Sequence, residues 1–295
     1  MFTQFFGNYL LSNEHLTSDQ LSNVLVAQKN AKVKLGVLAI NAGLMTSEQV
    51  RKVHHMQSKV DKKFGNIAVE LGYLTDDQVV ELLNEQKSGY LLLGQTIVDK
   101  GYMTLEQIEI ALENYKKEHK IENINFSDAQ NYKLLSVIEE FYKFKNRKDA
   151  TIYAEYISLL FKNIIRFIGQ DFIPLNQFQF ENKKCDLLAS QNINGKFSTY
   201  TAIEGNEEAL IKFASRFSEE EYAENNEYVM ASVGEFLNLN NGIFSVNMSN
   251  TNNIELELTP QDIQSNIELK NLKNAICIPV RFTFGIINFI MADIK

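Results

Sequence analysis

Residues 231–242 read Ala-Ser-Val-Gly-Glu-Phe-Leu-Asn-Leu-Asn-Asn-Gly, and this stretch is the most informative part of the second half of the chain. Glu235 and Asn238 stand three residues apart, so a helix places both side chains on one face. A carboxamide both donates and accepts hydrogen bonds, whereas an ionised carboxylate only accepts. Three features accompany the pair: Gly234 before it, Gly242 four residues after Asn238, and the dipeptide Thr259-Pro260 further on.

Segments on either side of this stretch alternate between helical and strand patterns. Apolar residues recur at helical spacing over 150–168, and a second helix is predicted at 207–217. Alternating or apolar runs predict strands at 177–182, 187–191, 197–203, 254–260, 275–280 and 282–294, with a turn at Asn194-Gly195. Helices against a mostly antiparallel sheet make residues 149–295 an α+β domain.

This half of the chain resembles the CheC/CheX/FliY phosphatases, whose active helix carries Gly-Glu-x-x-Asn followed four residues on by glycine, with a Thr-Pro downstream. The resemblance covers about 145 residues and implies a CheX-like phosphatase that hydrolyses the aspartyl phosphate of a CheY-like response-regulator receiver. It implies that Asn238 holds the attacking water and that Glu235 pairs with the receiver's active-site lysine. The receiver supplies magnesium, so the chain needs no cofactor of its own. CheX relatives dimerise, so the resemblance also implies a homodimer.

Two positions depart from the family pattern. Ala231 stands where the family favours Ser or Asp, and Leu237 stands where close relatives often have glycine, which would add bulk where a receiver helix approaches. The alternative interpretation is an ordinary helix that exposes Glu235 and Asn238 and is capped by Gly242. The enzymatic interpretation therefore requires a helix from which both side chains reach solvent.

The first half of the chain carries a fourfold repeat with a period of 29 residues. Each repeat contains a Thr-x-x-Gln, the pattern of a capping box, in which threonine and glutamine side chains bond reciprocally to backbone N–H groups. These pairs are Thr17/Gln20, Thr46/Gln49, Thr75/Gln78 and Thr104/Gln107. The pattern predicts an all-α helical-repeat domain over residues 1–120, because one helical hairpin cannot bury its apolar face alone.

Glycines follow the same period. Gly7, Gly36, Gly65 and Gly94 form one series, and Gly43, Gly72 and Gly101 form another. The second series lies just before the capping boxes, where a helix ends in a left-handed residue. Repeat one has Glu14 at that position, so Asn13 is expected to take the turn instead.

The repeats resemble the MshEN domains of type II secretion and type IV pilus ATPases, some of which bind cyclic di-GMP. The motif appears here as Lys34-Leu35-Gly36 and Lys63-Phe64-Gly65. The resemblance implies a cyclic di-GMP site, for which the candidates are Lys34, Lys63, Gln28, Gln57 and Gln86. The ligand-binding version has arginine where this chain has lysine, which supplies a point charge without a planar fork. The alternative is a helical module for protein contact or domain coupling.

Residues 121–148 are predicted to connect the two domains. An Asn-rich stretch near 121–127 is the expected hinge, and a helix with an aromatic face should follow and dock on one domain. The basic cluster at 145–148 is expected to be a solvated helix end.

Composition excludes several classes of protein. The 295 residues carry a net charge of −8, with no basic stripe for a phosphate backbone, so nucleic acid is excluded as a partner. No signal peptide is visible, and the longest nearly apolar run, at 282–292, is too short to insert in a membrane. Cys185 and Cys277 have no metal-ligand spacing and are expected to be buried thiols in a reducing, cytoplasmic compartment.

The sequence thus predicts a multidomain protein: an all-α domain at 1–120, a helical connector at 121–148 and a CheX-like α+β domain at 149–295. Three functions stay open. The first is a receiver phosphatase that the first domain regulates or localises. The second is a non-catalytic cyclic di-GMP effector. The third is an adaptor in a chemotaxis or pilus pathway.

Overall fold

Two compact units make up the chain, Met1–Ile124 and Asn125–Lys295. The computed structural model describes residues 2–28, 33–57, 59–60, 62–84, 89–119, 135, 138–139, 141–142, 144 and 149–294. Most of the predicted connector, including its hinge and basic cluster, lies outside these residues. Nothing in the described parts of either unit is a helix with the length and apolar character needed to cross a bilayer.

The regular elements of the first unit, among its described residues, are helices joined by turns. A shorter helix precedes a longer one in repeats two to four, as the sequence pattern predicts, whereas in repeat one the first helix is one residue longer than the second. Their bounds are α1 Phe2–Ser12, α2 Ser18–Ala27, α3 Leu35–Asn41, α4 Ser47–Gln57, α5 Phe64–Glu70, α6 Asp76–Asn84, α7 Gly89–Asp99 and α8 Leu105–Glu118.

All four predicted capping boxes form. In the first, Gln20 N donates to Thr17 Oγ1 at 3.2 Å and Thr17 N donates to Gln20 Oε1 at 2.9 Å. The other three have the same reciprocal pair of bonds, with distances between 2.7 and 3.3 Å. Each box satisfies N–H groups that a helix start otherwise leaves without partners. The repeating start signals are therefore local and can be read from sequence.

One glycine series lets the two helices of a repeat approach closely. A Cβ on Gly36 would lie 2.8 Å from Val50 Cγ1, and one on Gly65 would lie 3.0 Å from Val79 Cγ1. Gly94 shows the same approach, at 3.0 Å. Real Cβ atoms seldom sit so close to a neighbour, so these positions require glycine.

The other series ends the short helices in the left-handed conformation. Gly43, Gly72 and Gly101 have φ of 69°, 71° and 71°. In repeat one Glu14 takes this conformation with φ 58°, so the expectation for Asn13 is wrong. Asn13 N instead continues the helical pattern by donating to Tyr9 O at 3.0 Å, and the left-handed turn follows one residue later.

Replacing Glu14 with glycine is expected to raise the free energy of unfolding of the first unit by about 0.5–1 kcal/mol. The left-handed conformation costs a side-chain-bearing residue roughly 1–2 kcal/mol, part of which glycine loses again to its greater freedom when unfolded. Hydrogen–deuterium exchange of peptides from this unit in a urea series measures the change. Asn13→Gly is the matched control and should lower stability, because Asn13 N still bonds to Tyr9 O in the helical pattern and glycine gains nothing where φ is not positive. A loss of stability in Glu14→Gly would contradict the assignment.

The second unit combines helices with an antiparallel sheet, as predicted. The predicted first helix forms α9 Ala150–Asn163, and a π-helical turn, Ile164–Ile168, continues it. The other helices are α10 Glu207–Ser218 and α11 Glu227–Asn252. The strands are β1 Phe172–Pro174, β2 Phe178–Gln179, β3 Asn182–Gly195, β4 Thr199–Gly205, β5 Leu256–Leu258, β6 Asp262–Lys270, β7 Lys273–Phe282 and β8 Gly285–Asp293.

The strands form one curled sheet in the order β1-β7-β8-β4-β3-β5. Two further strands pair with members of this sheet: β2 pairs with β7, and β6 pairs with β3. The helix α11 packs against β3 and β4, and α10 packs against β8 and α11. The long strand β3 therefore lies under α11 on one side and is bonded to the β5–β6 region at its edge.

Two aromatic residues of the predicted connector, Tyr142 and Phe144, dock on the second unit, as one of the two expected outcomes. Tyr142 and Phe144 are buried, with ring centroids 6.4 Å from Phe161 and 5.7 Å from Tyr153 respectively. These contacts fix the start of α9 against residues that precede it in the chain.

The two cysteines are free and buried, which confirms the prediction of unpaired interior thiols. Burial raises the pKa of Cys185 to about 11 and that of Cys277 to about 12. Thiols with such pKa values are almost fully protonated near neutral pH and make poor nucleophiles.

Candidate functional site

The predicted Glu-x-x-Asn stretch lies within α11, as expected. Asn226 caps this helix, since its Oδ1 accepts from Tyr228 N at 3.0 Å and from Val229 N at 3.1 Å. The helix ends at Asn253, which takes the left-handed conformation with φ 51°. Gly242 is therefore an interior helix residue and does not act as a cap.

Neighbouring residues of the stretch face opposite sides of α11. Glu235 is exposed and Asn238 is half-buried, so both lie toward the surface. Phe236 and Leu237 are buried, and Phe236 packs edge-on against Phe213 with ring centroids 5.0 Å apart. The expectation that Leu237 adds bulk to the docking surface is wrong, because two helical steps turn its side chain roughly 200° away from Glu235.

A buried glutamine holds the carbonyl end of the Asn238 side chain. Gln191, on β3, donates from Nε2 to Asn238 Oδ1 at 2.9 Å and to the backbone carbonyl of Thr259 at 2.8 Å. Among the described residues, Nδ2 of Asn238 has no hydrogen-bond partner. The amide is thus tied to the sheet at one end and open at the other.

A second glutamine lies beside Glu235. Gln261 Nε2 donates to Glu235 Oε1 at 3.1 Å. Gly234 makes room for this side chain, because a Cβ at that position would lie 2.5 Å from Gln261 Oε1. A neutral amide donor leaves the negative charge of the carboxylate in place.

Residues Thr259, Pro260 and Gln261, here called the Thr259–Gln261 segment, connect to both members of the pair. Thr259 is fixed to β3 by two bonds, Thr259 N to Asn192 O and Asn192 N to Thr259 Oγ1, both 3.0 Å. Its carbonyl binds Gln191, and Gln261 binds Glu235. The Thr-Pro that was noted in the sequence therefore lies in the segment that is hydrogen-bonded beside Glu235 and Asn238.

A buried polar network supports Gln191 from below. Asn241 Nδ2 donates to Gln191 Oε1 at 2.8 Å and to Thr201 Oγ1 at 2.9 Å, and Tyr156 Oη donates to Asn241 Oδ1 at 2.7 Å. Burial raises the pKa of Tyr156 well above its ordinary value, so its hydroxyl keeps the proton it donates. A buried polar group left without a partner costs about 1–3 kcal/mol, so this network holds its members in one arrangement.

Sequence reasoning found Glu235, Asn238 and Thr259-Pro260 but missed Gln191, Gln261 and Asn241. Gln191 carried no clear signal, because it is the last residue of the predicted strand at 187–191 and its neighbours Ser190 and Asn192 are also polar. Its burial, and with it the need of its amide for partners, becomes visible only in the structure.

The five candidates for a cyclic di-GMP site all belong to the first unit. Four of them are among the described residues, and Gln86 is not. Lys34 and Lys63 occupy equivalent positions just before α3 and α5, and both are exposed. Lys34 Nζ forms an ion pair with Asp99 Oδ1 at 2.6 Å. Gln28 and Gln57 are half-buried near the ends of α2 and α4, and Gln57 Nε2 donates to Lys62 O at 3.1 Å.

A cleft of about 530 Å³ lies between repeats two and four of this unit. Of the four described candidates, Lys34 lines it and the others do not. The cleft also contains Arg51, His54 and Asp99. Burial, with the nearby Lys34 charge, lowers the pKa of His54, which disfavours the positively charged form of this side chain. Where the chain is described, no cluster of three or more His, Cys, Asp or Glu side chains could hold a metal ion.

Solved structures of chemotaxis proteins are similar to about half of this chain. A CheC-like superfamily protein from Shewanella sp. PV-4 is 15% identical with a TM-score of 0.43, covering 49% of this chain and 97% of that one. CheX from Desulfovibrio desulfuricans is 13% identical with a TM-score of 0.42, covering 48% and 99%. In a structure of the CheX–CheY–BeF3–Mg2+ complex from Borrelia burgdorferi, the matching chain is 15% identical with a TM-score of 0.42. The match covers 49% of this chain and 98% of that one. No family model matches the chain, and no curated protein matches it.

Proposed function

We propose that the second unit accelerates the hydrolysis of an aspartyl phosphate on a response-regulator receiver, with Glu235 and Asn238 as the residues that meet the receiver. One observation carries the proposal. A carboxylate and a carboxamide project from the exposed side of a capped helix whose opposite side is buried, and the carboxamide is fixed by Gln191. This is the arrangement that the Gly-Glu-x-x-Asn resemblance implies for an active helix.

The chemistry requires little of the helper protein. Water attacks phosphorus in line with the bond to the aspartyl oxygen, that bond breaks to restore the aspartate carboxylate, and dihydrogen phosphate leaves with both protons of the water. Phosphoryl transfer depends mainly on positioning and charge stabilisation, and the receiver supplies magnesium and a lysine. The open N–H groups of Asn238 would bind the attacking water or a phosphoryl oxygen. No basic side chain is needed from this chain.

Glu235 would orient the receiver. Its carboxylate is exposed, and one oxygen, Oε2, has no hydrogen-bond partner in the described part of the chain. An ammonium group of the receiver can bind this oxygen while Gln261 keeps the other. Such a contact sets the angle at which Asn238 enters the receiver's active site.

The role proposed for the first unit is to regulate or localise the second. Cyclic di-GMP binding stays a prediction. The ammonium group of Lys34 is already paired with Asp99, so an anionic ligand would have to displace that carboxylate.

Phosphate release from purified receivers tests the proposal. Receivers charged with acetyl phosphate in magnesium buffer should lose phosphate faster when the full chain is added in substoichiometric amount. Receivers that bind the chain only when trapped with beryllofluoride identify the cognate partner. Rates equal to spontaneous dephosphorylation for every receiver of the source organism would reject the proposal.

Glu235→Gln is expected to raise the KM for the phosphorylated receiver on the order of tenfold at low salt, because a charge at an interface mainly affects association. The effect should shrink as ionic strength rises, since salt screens exposed charges. Steady-state phosphate release at several receiver and salt concentrations measures it.

Glu207→Gln is the control for this substitution. Glu207 is an exposed glutamate in the first turn of α10, so the same charge is removed outside the site. It should leave KM within about twofold of the wild type. Equal effects of the two variants would mean that Glu235 contributes only to overall charge.

A further inference from the structure

We infer that Gln191 is a positioning residue that determines which end of the Asn238 amide faces the receiver, an inference that rests on the proposed function. Gln191 is 3% exposed and lies on β3, beneath α11. It does not reach the surface where a receiver would bind. Its Nε2 binds the side chain of Asn238 and the backbone carbonyl of Thr259, and of these two groups Asn238 is the one proposed to meet the phosphoryl group.

The direction of the Asn238 amide follows from hydrogen-bond chemistry. The backbone carbonyl of Thr259 can only accept, so the group of Gln191 that lies 2.8 Å from it must be the NH2 end. The same nitrogen lies 2.9 Å from the Asn238 side chain, so the Asn238 atom there must be its oxygen. Nδ2 of Asn238 therefore points away from Gln191, toward the open side.

The other end of Gln191 is fixed independently. Its Oε1 accepts from Asn241 Nδ2, which also donates to Thr201 Oγ1. The Thr201 hydroxyl cannot reverse this contact, because it donates to the backbone carbonyl of Gln191 at 2.7 Å. If the Gln191 amide were flipped, its oxygen would face the Thr259 carbonyl oxygen, and its nitrogen would face Nδ2 of Asn241. Neither contact could be a hydrogen bond.

The consequence for the reaction is specific. Asn238 presents two N–H donors to the receiver, while one lone pair of its Oδ1 is occupied by Gln191. Donors can hold the oxygen of the attacking water or a phosphoryl oxygen that gains charge in the transition state. Removing the constraint should lower kcat and leave receiver binding, which depends on Glu235 and the surface, unchanged.

Gln191→Glu tests the inference, because it keeps the shape of the side chain and replaces its donor by an acceptor. The new carboxylate should turn Asn238 so that Nδ2 faces inward. We expect kcat to fall about tenfold or more with KM within about twofold, since small errors in position are costly. The difference in kcat between Gln191→Glu and the wild type should become smaller as pH is lowered, because the protonated carboxyl introduced at position 191 can again donate a hydrogen bond.

A direct readout accompanies the kinetics. The side-chain amide protons of Asn238, assigned by their loss in Asn238→Asp, should exchange rapidly with water in the wild type. They should exchange more slowly in Gln191→Glu, where they bond to a buried carboxylate. Thr199→Val is the control, because it removes a buried hydroxyl of the neighbouring strand β4 that bonds to Ala292 O outside this network. It should leave kcat and the Asn238 exchange rate unchanged.

The outcomes separate the inference from the proposed function. If Asn238→Ala is inactive but Gln191→Glu has wild-type kcat, the inference is overturned and the function stands. If the wild type is inactive on every receiver, the proposed function is lost and amide exchange still decides the orientation. Slow exchange of the Asn238 amide in the wild type overturns the inference even if Gln191→Glu fails to fold.

Discussion

Asn238→Ala is expected to reduce receiver dephosphorylation to the spontaneous rate, a loss on the order of 10²-fold or more in kcat. The substitution removes the amide proposed to order the water and leaves Glu235 in place, so the KM for the receiver should change little. Loss of orientation alone is worth this much in catalysis that depends on positioning. Single-turnover phosphate release from the cognate receiver, with the chain in excess, measures the chemical step directly.

Asn247→Ala provides the comparison. Asn247 is an exposed asparagine further along α11, so its removal alters the same helix outside the site. It should keep the wild-type rate. An Asn238→Ala protein that still accelerates hydrolysis as the wild type does would refute the assignment of Asn238, whatever the behaviour of Glu235.

Phe236→Ala is expected to lower the free energy of unfolding of the second unit by about 3–5 kcal/mol, the usual cost of deleting a buried phenylalanine. The side chain is fully buried, with ring centroids 5.0 Å from Phe213 and 5.5 Å from Phe217. Domains are stable by only about 5–15 kcal/mol, so the variant should unfold at much lower urea concentrations. Hydrogen–deuterium exchange of β7 and β8 peptides in a urea series isolates this unit from the first.

The matched variant is Phe178→Ala. Phe178 lies on β2 at the sheet edge and is 45% exposed, so its loss should cost less than about 1 kcal/mol. Similar losses in the two variants would contradict the burial of Phe236. Phe178→Ala should also keep the hydrogen bonds of Glu235 and Asn238, because β2 takes no part in holding either residue.

The first unit could be predicted in detail because its signals are local. A capping box involves residues three apart, and all four formed as predicted. The failure at Glu14 is equally local. Repeat one has no glycine at the left-handed position. Because asparagine adopts that conformation more readily than glutamate, Asn13 was predicted instead of Glu14, which is one residue too early.

In the second unit, the edge strand β6 was missed. Its pairing with β3 lacks a partner for Asn266, which has φ 52°, but keeps the same register on both sides of that residue. Most of its side chains are also exposed, which removes the apolar signal that identifies buried strands. Pairing with β3 creates this strand, and pairing is not visible in a local pattern.

The candidate site divides in the same way. Glu235 and Asn238 could be found because their spacing is a helical repeat. Gln191 and Asn238 are 47 residues apart, and Gln261 and Glu235 are 26 apart. Contacts at such separations depend on how β3, β5 and β6 assemble beneath α11. A sequence pattern limited to one helix contains no information about them.

The Thr259–Gln261 segment has a consequence for anyone who wishes to move this site to another protein. Grafting α11 alone would transplant both side chains, yet Asn238 would rotate freely and Glu235 would lose its neighbour. A working graft would have to include the part of β3 around Gln191 and the link between β5 and β6. The smallest portable unit is therefore three separate pieces of chain, so a recipient scaffold needs a strand edge beside its helix.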